Sequence, residues 1–115
     1  MFTNIVYKLK TVPKRDNMTI EKLLEPRLRR EVKKLGGIAV KFTSHITTGM
    51  PDRMILMPGG HIYFVELKST KKKPTPLQAL QIRNLRLMGF VSEVIDDREG
   101  LDLFLSKIVN EQKEQ

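Results

Sequence analysis

Three charged side chains in the middle of the chain have the chemistry needed to hydrolyse a phosphodiester. Asp52 follows Met50-Pro51, and Glu66 and Lys68 come at the end of the apolar run 62–65. A charged side chain beside strand-forming apolar residues is costly to bury unless it is paired or binds a metal. Carboxylates are ligands that Mg²⁺ prefers, and a nearby lysine can orient an attacking water or stabilise developing negative charge. These residue types indicate a metal-dependent phosphodiesterase site.

A hairpin must bring the two acids together. Residues 53–57 and 62–67 have the composition of strands, and residues 58–61 that of a turn. The simplest register pairs Met57 with Ile62, which puts Asp52 opposite Leu67 and the acids on opposite faces. A glycine-mediated bulge, or a position of Asp52 just before the strand, would bring both acids to one side. The sequence leaves these two routes open. Lys68 shares a face with Glu66, because strand side chains alternate.

The remaining elements follow from apolar spacing. A helical pattern begins at Thr19 and ends at Gly36-Gly37. Pro26 predicts that this helix kinks, or that its regular part starts near the proline. Further strands are predicted at 38–42 and 90–95, and further helices from Thr75 to Met88 and at 101–109. The order α-β-β-β-α-β-α predicts an α/β protein with a mixed sheet and helices on its faces.

Length and composition limit the classes of protein. With 115 residues we expect one folded domain at 19–110, preceded by an N-terminal arm or short strand at 1–18 and followed by a polar tail at 111–115. The 21 basic and 13 acidic residues give a net charge of +8, which favours a polyanionic partner. Without cysteine, disulfides, thiolate zinc sites and thiol catalysis are excluded. We expect an intracellular, cytoplasmic protein, since no stretch is apolar enough for a membrane span or a signal peptide.

An ordered set of short motifs resembles one nuclease family. The set consists of Gly36-Gly37, Gly49-Met50-Pro51-Asp52-Arg53, Gly59-Gly60, Phe64-Val65-Glu66-Leu67-Lys68 and Pro76-Leu77-Gln78. It resembles the virus-type replication-repair nuclease (VRR-NUC) domain of the PD-(D/E)XK superfamily, from about Thr19 to about Asp97. The resemblance implies a restriction-endonuclease-like fold and a phage or prophage source.

The resemblance also implies roles for individual residues. Asp52 and Glu66 would bind Mg²⁺ or Mn²⁺, with the Leu67 carbonyl as a further ligand, and Lys68 would be the catalytic lysine. The family uses a glutamate on the first helix, for which Glu21 and Glu25 lie one turn apart on one helix face. We favour Glu25 from its distance to Gly36.

Gln78 has two interpretations. The run Thr75-Pro76-Leu77-Gln78 fits a helix start in which Thr75 is the N-cap and Gln78 completes a capping box. The resemblance instead puts Gln78 at the edge of the active site. Both interpretations stay open.

We therefore predict a metal-dependent DNA endonuclease. Its phosphate contacts would come from a set of basic residues near the acids: Lys41, Arg53, Lys71, Lys72 and Lys73. Compact members of the family resemble Holliday-junction resolvases, and a two-fold symmetric junction calls for a homodimer that makes two equivalent cuts. The alternatives are a flap or end nuclease that acts as a monomer or subunit, and a non-catalytic DNA-binding module.

Overall fold

The computed structural model describes residues 20–44, 46–70 and 72–114. The seven elements follow in the predicted order, which confirms the α/β class with a mixed sheet. They are α1 (Ile20–Lys34), β1 (Ile38–Lys41), β2 (Arg53–Met57), β3 (His61–Leu67), α2 (Pro76–Leu87), β4 (Val91–Ile95) and α3 (Arg98–Lys113). The predicted arm at 1–18 lies outside the described residues.

The four strands form one sheet in the order β1-β2-β3-β4. The first three strands are antiparallel, and β4 joins parallel to β3 through the crossover helix α2. α1 and α3 pack on one face of the sheet, where Tyr63, Val65 and Leu67 of β3 join the hydrophobic core. On the opposite face α2 packs chiefly against β4. Residues of β3 with even numbers, including Glu66, point to this second face, which we call the site face.

α1 continues through Pro26 as a single helix from Ile20 to Lys34. Leu24, Leu28 and Val32 recur every four residues and are fully buried, whereas Pro26 is exposed. An interior proline costs about 3 kcal/mol, and each buried apolar side chain contributes roughly 1.5–3 kcal/mol. The packed stripe therefore offsets the cost of the proline.

The β2–β3 hairpin corrects the predicted register. Met57 pairs with His61 rather than with Ile62, so the loop contains three residues, Pro58 to Gly60. Its two glycines have φ values of 90° and 81°, which side chains other than glycine rarely adopt. Arg53 pairs with Val65, and the same register puts Asp52, just before β2, opposite Glu66. The two acids therefore share the site face.

The last helix is longer than predicted. Asp97 caps its start by accepting a 2.7 Å hydrogen bond from the Gly100 amide, and the helix continues to Lys113. The residues predicted as the start of a tail are helical, because Glu111 accepts a 3.0 Å hydrogen bond from the Tyr63 hydroxyl. Burial and this carboxylate raise the pKa of Tyr63 to about 12. Among the described residues, no helix is both long enough and apolar enough to cross a membrane.

Candidate active site

Asp52 and Glu66 lie together at the end of the site face where β3 ends. Glu66 is only 7% exposed, although it is charged. Burial raises the pKa of Glu66, and the neighbouring Asp52 charge raises it further, while Lys68 and the Asp52 backbone amide act in the opposite direction. The Asp52 Oδ1 atom is buried and has no hydrogen-bond partner among the described residues. Two adjacent carboxylates with an unsatisfied buried oxygen favour a bound cation.

The loop before β2 holds Asp52 in place. Pro51 is fully buried, and the Asp52 carbonyl accepts a 2.9 Å hydrogen bond from the Phe42 amide. Gly49 has a φ of 90°, and a Cβ atom there would lie 3.0 Å from the backbone of Leu77. The Gly-Met-Pro-Asp segment is thus packed directly on the first turn of α2, which carries Gln78.

Lys68 is the nearest cation to Glu66 in the described part of the chain. Its Nζ lies 3.8 Å from Glu66 Oε2, and its side chain is 19% exposed. The Lys68 amide donates a 2.9 Å hydrogen bond to the Ile95 carbonyl, which extends the pairing of β3 with β4 by one residue. The backbone therefore keeps Lys68 in line with Glu66 on the site face, as the alternation predicts.

The two interpretations of Gln78 are compatible, because the two ends of its amide make different contacts. The Thr75 hydroxyl accepts a 3.1 Å hydrogen bond from the Gln78 amide N–H, and Gln78 Oε1 accepts one of 2.9 Å from the Thr75 amide. This capping box is complete, so the helix-cap interpretation is confirmed. Gln78 Nε2 lies 3.5 Å from Glu66 Oε2 and donates to it. A catalytic role for Gln78 stays a prediction.

Arg53 differs from its predicted place on a DNA-binding surface. It is 8% exposed and points into the core face, because it alternates with Ile55 and Met57 in the same buried row. Its Nη1 lies 2.9 Å from Asp52 Oδ2, at an angle that does not make a hydrogen bond. The guanidinium therefore offsets the charge of Asp52 from inside the protein. Its period-two position in β2 was the sequence signal for this burial.

The two glutamates of α1 have different surroundings. Glu25 accepts hydrogen bonds of 2.8 Å and 2.7 Å from Arg29 Nη1, one turn along the helix. Glu21 lies close enough to Glu66 for its charge to contribute to the raised pKa of Glu66. Across residues 20–44, 46–70 and 72–114, no group of three acidic or histidine side chains is arranged to hold one metal ion.

The remaining predicted site residues are four lysines and Leu67. Lys41, Lys72 and Lys73 are exposed, and Lys71 lies outside the described residues. Leu67 follows Glu66 directly, and its side chain is buried in the core. The role of its carbonyl as a metal ligand stays a prediction. The sequence reasoning missed the contact of Gly49 with Leu77, although both residues lie in motifs that it singled out.

The fold and the acidic site together define the class of the protein as a restriction-endonuclease-like α/β domain. A solved structure described as a VRR_NUC domain superposes with a TM-score of 0.72 at 27% identity, covering 77% of this chain and 97% of that one. A curated relative, "Putative nuclease p44" of Acyrthosiphon pisum secondary endosymbiont phage 1, is 42% identical over 79 residues, which are 69% of this chain and 85% of the relative. No family model matches the chain. The chain belongs to the VRR-NUC nuclease family, as its motifs predict.

Proposed function

We propose that the protein is a Mg²⁺- or Mn²⁺-dependent DNA endonuclease that cuts branched DNA as a homodimer. The observation that carries the proposal is the convergence of Asp52 and Glu66 on one face. Lys68 Nζ and Gln78 Nε2 lie 3.8 Å and 3.5 Å from the same Glu66 oxygen. A site for binding alone would need cations, whereas this one sets two acids side by side and buries one of them, Glu66. Membership of a nuclease family supports the same conclusion.

The residues present fit a hard divalent cation. Asp52 Oδ1 lacks a hydrogen-bond partner in the described structure, and Glu66 is held beside it with a raised pKa. Mg²⁺ is commonly held by one or two carboxylates together with waters, so three acidic side chains are not required. Asp52 and Glu66 would hold the ion, with the Leu67 carbonyl as a further ligand. When bound, the ion supplies charge neutralisation at the scissile phosphate.

The chain's own groups would position the reactants. Lys68 Nζ is near enough to Glu66 to stay at the edge of the acidic pair, where it can donate to an attacking water or to a phosphate oxygen. Gln78 Nε2 donates to Glu66 and so orients that carboxylate. Arg53 forms an ion pair with Asp52 from the core side, with Nη1 2.9 Å from Asp52 Oδ2. Hydrolysis then adds one water across the P–O bond, and the proton that the water loses balances the one that the leaving oxygen gains.

The first-helix carboxylate is the least defined member of the site. We propose Glu21 for this role ahead of Glu25, because Glu21 acts on Glu66 electrostatically while Glu25 is paired with Arg29. The two glutamates offer a matched pair of variants. Glu21→Gln should lower the cleavage rate more than Glu25→Gln does, and the reverse order would restore Glu25 to the role.

The exposed lysines support DNA as the substrate. Lys41, Lys72 and Lys73 can contact phosphates, which gives affinity without base recognition. A four-way junction has two-fold symmetry, so a homodimer would place one site on each of two equivalent strands. Binding should weaken steeply as the salt concentration rises.

A cleavage assay tests the proposed function. The protein is incubated with a four-way junction, a flap and a linear duplex of equal length, each with Mg²⁺, with Mn²⁺ or with a chelator. We expect cutting of the junction in preference to the duplex, and none with the chelator. Cutting that survives chelation would contradict the metal-dependent mechanism. Equal cutting of all three substrates would contradict junction specificity, and a preference for flaps would favour the monomeric alternative.

A further inference from the structure

A groove of about 360 Å³ lies between α2 and β4. It combines an apolar floor with two exposed arginines, Arg83 and Arg86. The floor is formed by four aliphatic side chains: Ala79, Ile82, Leu87 and Val94. Its volume is at the small end of the roughly 300–1,000 Å³ range of small-molecule sites. A ligand that fits this groove should therefore be small, with an apolar part and a negative charge.

Arg86 is held with its guanidinium at the outer edge of β4. Its Nε donates a 2.8 Å hydrogen bond to the Ser92 carbonyl, and its Nη2 lies 3.7 Å from Glu93 Oε1. The side chain nevertheless stays 55% exposed. A guanidinium is planar, and once it is fixed it offers a flat face on which a nucleobase can stack. The orientation of Arg86 is thus set before any ligand binds.

Arg83, one turn before Arg86, is a cation without a counter-ion. Among the described residues it makes no hydrogen bond or ion pair, whereas Arg27 and Arg29 of α1 are each paired with a carboxylate. α2 contains no acidic residue, while α1 and α3 contain three each. An unpaired arginine on a helix without acids is suited to bind a phosphate.

The groove adjoins both the acids and the proposed phosphate contacts. Val94 of its floor is the register partner of Glu66, and neighbouring strands lie about 4.8 Å apart. Pro74, which also lines the groove, directly follows the exposed Lys73. A DNA strand whose scissile phosphate lies at the acids can therefore place a neighbouring nucleotide in the groove.

We propose that the groove binds one unpaired nucleotide of the DNA strand, next to the phosphodiester that is cut. Its base would stack on Arg86 above the apolar floor, and its phosphate would bind Arg83. Paired DNA does not fit, because a duplex keeps the faces of its bases stacked inside the helix. The N-terminal segment 1–19 is not a complementary occupant either, since its charged residues are four basic and one acidic.

This inference rests on the proposed function and specifies which branched substrates the site prefers. Taking a base out of a paired stack costs free energy, and the cost is smallest where the base is already unpaired. A branch point with one unpaired nucleotide should therefore bind more tightly than the same branch when it is fully paired. The groove, and not the acidic pair, would be the source of this preference.

Binding to a set of four-way junctions of the same sequence tests the proposal. One junction is fully paired, and the others carry one unpaired nucleotide on one or the other side of the branch. Fluorescence anisotropy is measured with a chelator, so that no strand is cut. We expect wild type to prefer one of the junctions with an unpaired nucleotide by about fivefold or more, the low end for stacking of one base. Equal binding of all the junctions would overturn the proposal.

An abasic nucleotide at the unpaired position separates the base from the flexibility that it gives the junction. The abasic junction keeps the phosphate and the extra backbone length but has no base to stack. We expect wild type to lose its preference for this junction. A preference that survives removal of the base would overturn the proposal. This comparison uses wild type alone and does not depend on the folding of a variant.

Two arginine variants test the separate roles of the base and the phosphate. Arg86→Lys keeps the charge but loses the planar face, so it should bind the unpaired nucleotide and its abasic form equally. Arg83→Gln should keep the preference for a base but lower the slope of log affinity against log salt by about one. Arg30→Gln, on α1 at the opposite face of the sheet, removes the same charge and is the control. A base preference in Arg86→Lys, or equal slopes in Arg83→Gln and Arg30→Gln, would overturn the assignment.

Cleavage of the same junctions separates this inference from the proposed function. Wild type that prefers the unpaired nucleotide under chelation but cuts no junction with Mg²⁺ would contradict the proposed function alone. Wild type that cuts junctions with Mg²⁺ but binds the paired, unpaired and abasic forms alike would contradict the inference alone.

Discussion

The two ends of the site face reverse the usual distribution of residues in a folded protein. At one end the charged Glu66 is 7% exposed, and at the other the apolar Ile62 is 37% exposed, although both belong to the same face of the same strand. Burial of the apolar residue and exposure of the charged one would favour folding. The comparison teaches that the acidic end is suited to something the isolated chain lacks, which we propose is a divalent cation.

The largest expected effect comes from removing the Lys68 ammonium group beside the two acids. Lys68→Ala should reduce kcat for junction cleavage by roughly 10²–10⁴, the range for loss of a positioned general acid, base or charge stabiliser. Binding of the junction should change little. Lys72→Ala, which removes an exposed lysine four residues further along the chain, is the control and should mainly raise KM. Equal effects of the two substitutions would remove Lys68 from the site.

The next effect concerns the contact that supports Asp52. In Gly49→Ala the positive φ should cost about 1–3 kcal/mol of folding stability through backbone strain. The total loss should be larger, because the new Cβ would meet the Leu77 backbone. Gly89→Ala is a matched control, since Gly89 has a φ of 98° and nothing within 4 Å of a Cβ atom. Urea unfolding and cleavage rates are measured for both variants. If both lose the same stability and activity, the contact with Leu77 does not support the site.

Gln78→Glu tests the link between the helix cap and the acids. A carboxylate retains the acceptor for the Thr75 amide but places a second oxygen 3.5 Å from Glu66, where Gln78 now donates. We expect roughly 10- to 100-fold weaker Mn²⁺ binding, as for other groups that orient metal ligands. Gln81→Glu adds the same charge to the same helix and should bind Mn²⁺ like wild type. Equal weakening in both variants would show that the effect does not depend on the contact between Gln78 and Glu66.

A smaller effect is expected when Glu66 is replaced, and this substitution should raise the stability of the metal-free protein rather than lower it. The pKa of Glu66 is raised in the folded state, so its ionised form disfavours folding. The stabilising contribution of Glu66 is fully present below its pKa in the unfolded chain. That contribution is lost as the pH rises through its pKa in the folded protein. Glu66→Gln should therefore stabilise the metal-free protein at neutral pH by roughly 0.5–2 kcal/mol while abolishing cleavage. The difference from wild type should close below pH 4.5, the ordinary pKa. Thermal unfolding across pH measures it, and a destabilised variant at neutral pH would contradict the argument.

The sequence predicted the order of elements, because that order depends on local patterns, and it singled out Asp52 and Glu66, which the structure brings to one face. It misplaced the hairpin register by one residue, since the length of a glycine-rich turn depends on which residues adopt positive φ. It ended α3 too early, because the contact of Glu111 with Tyr63 joins residues 48 positions apart. The burial of Arg53 was visible in the alternation of β2, but the adjacent motif drew attention to its charge instead.

Binding of Mn²⁺ to the protein without DNA tests the central claim most directly. Calorimetric titration compares wild type with Asp52→Asn and with Glu99→Gln, an exposed carboxylate on α3. We propose that Asp52 and Glu66 both bind the ion. Wild type and Glu99→Gln should therefore bind Mn²⁺ with the same affinity, and Asp52→Asn should bind it at least tenfold more weakly. Equal binding by wild type and Asp52→Asn would contradict the account.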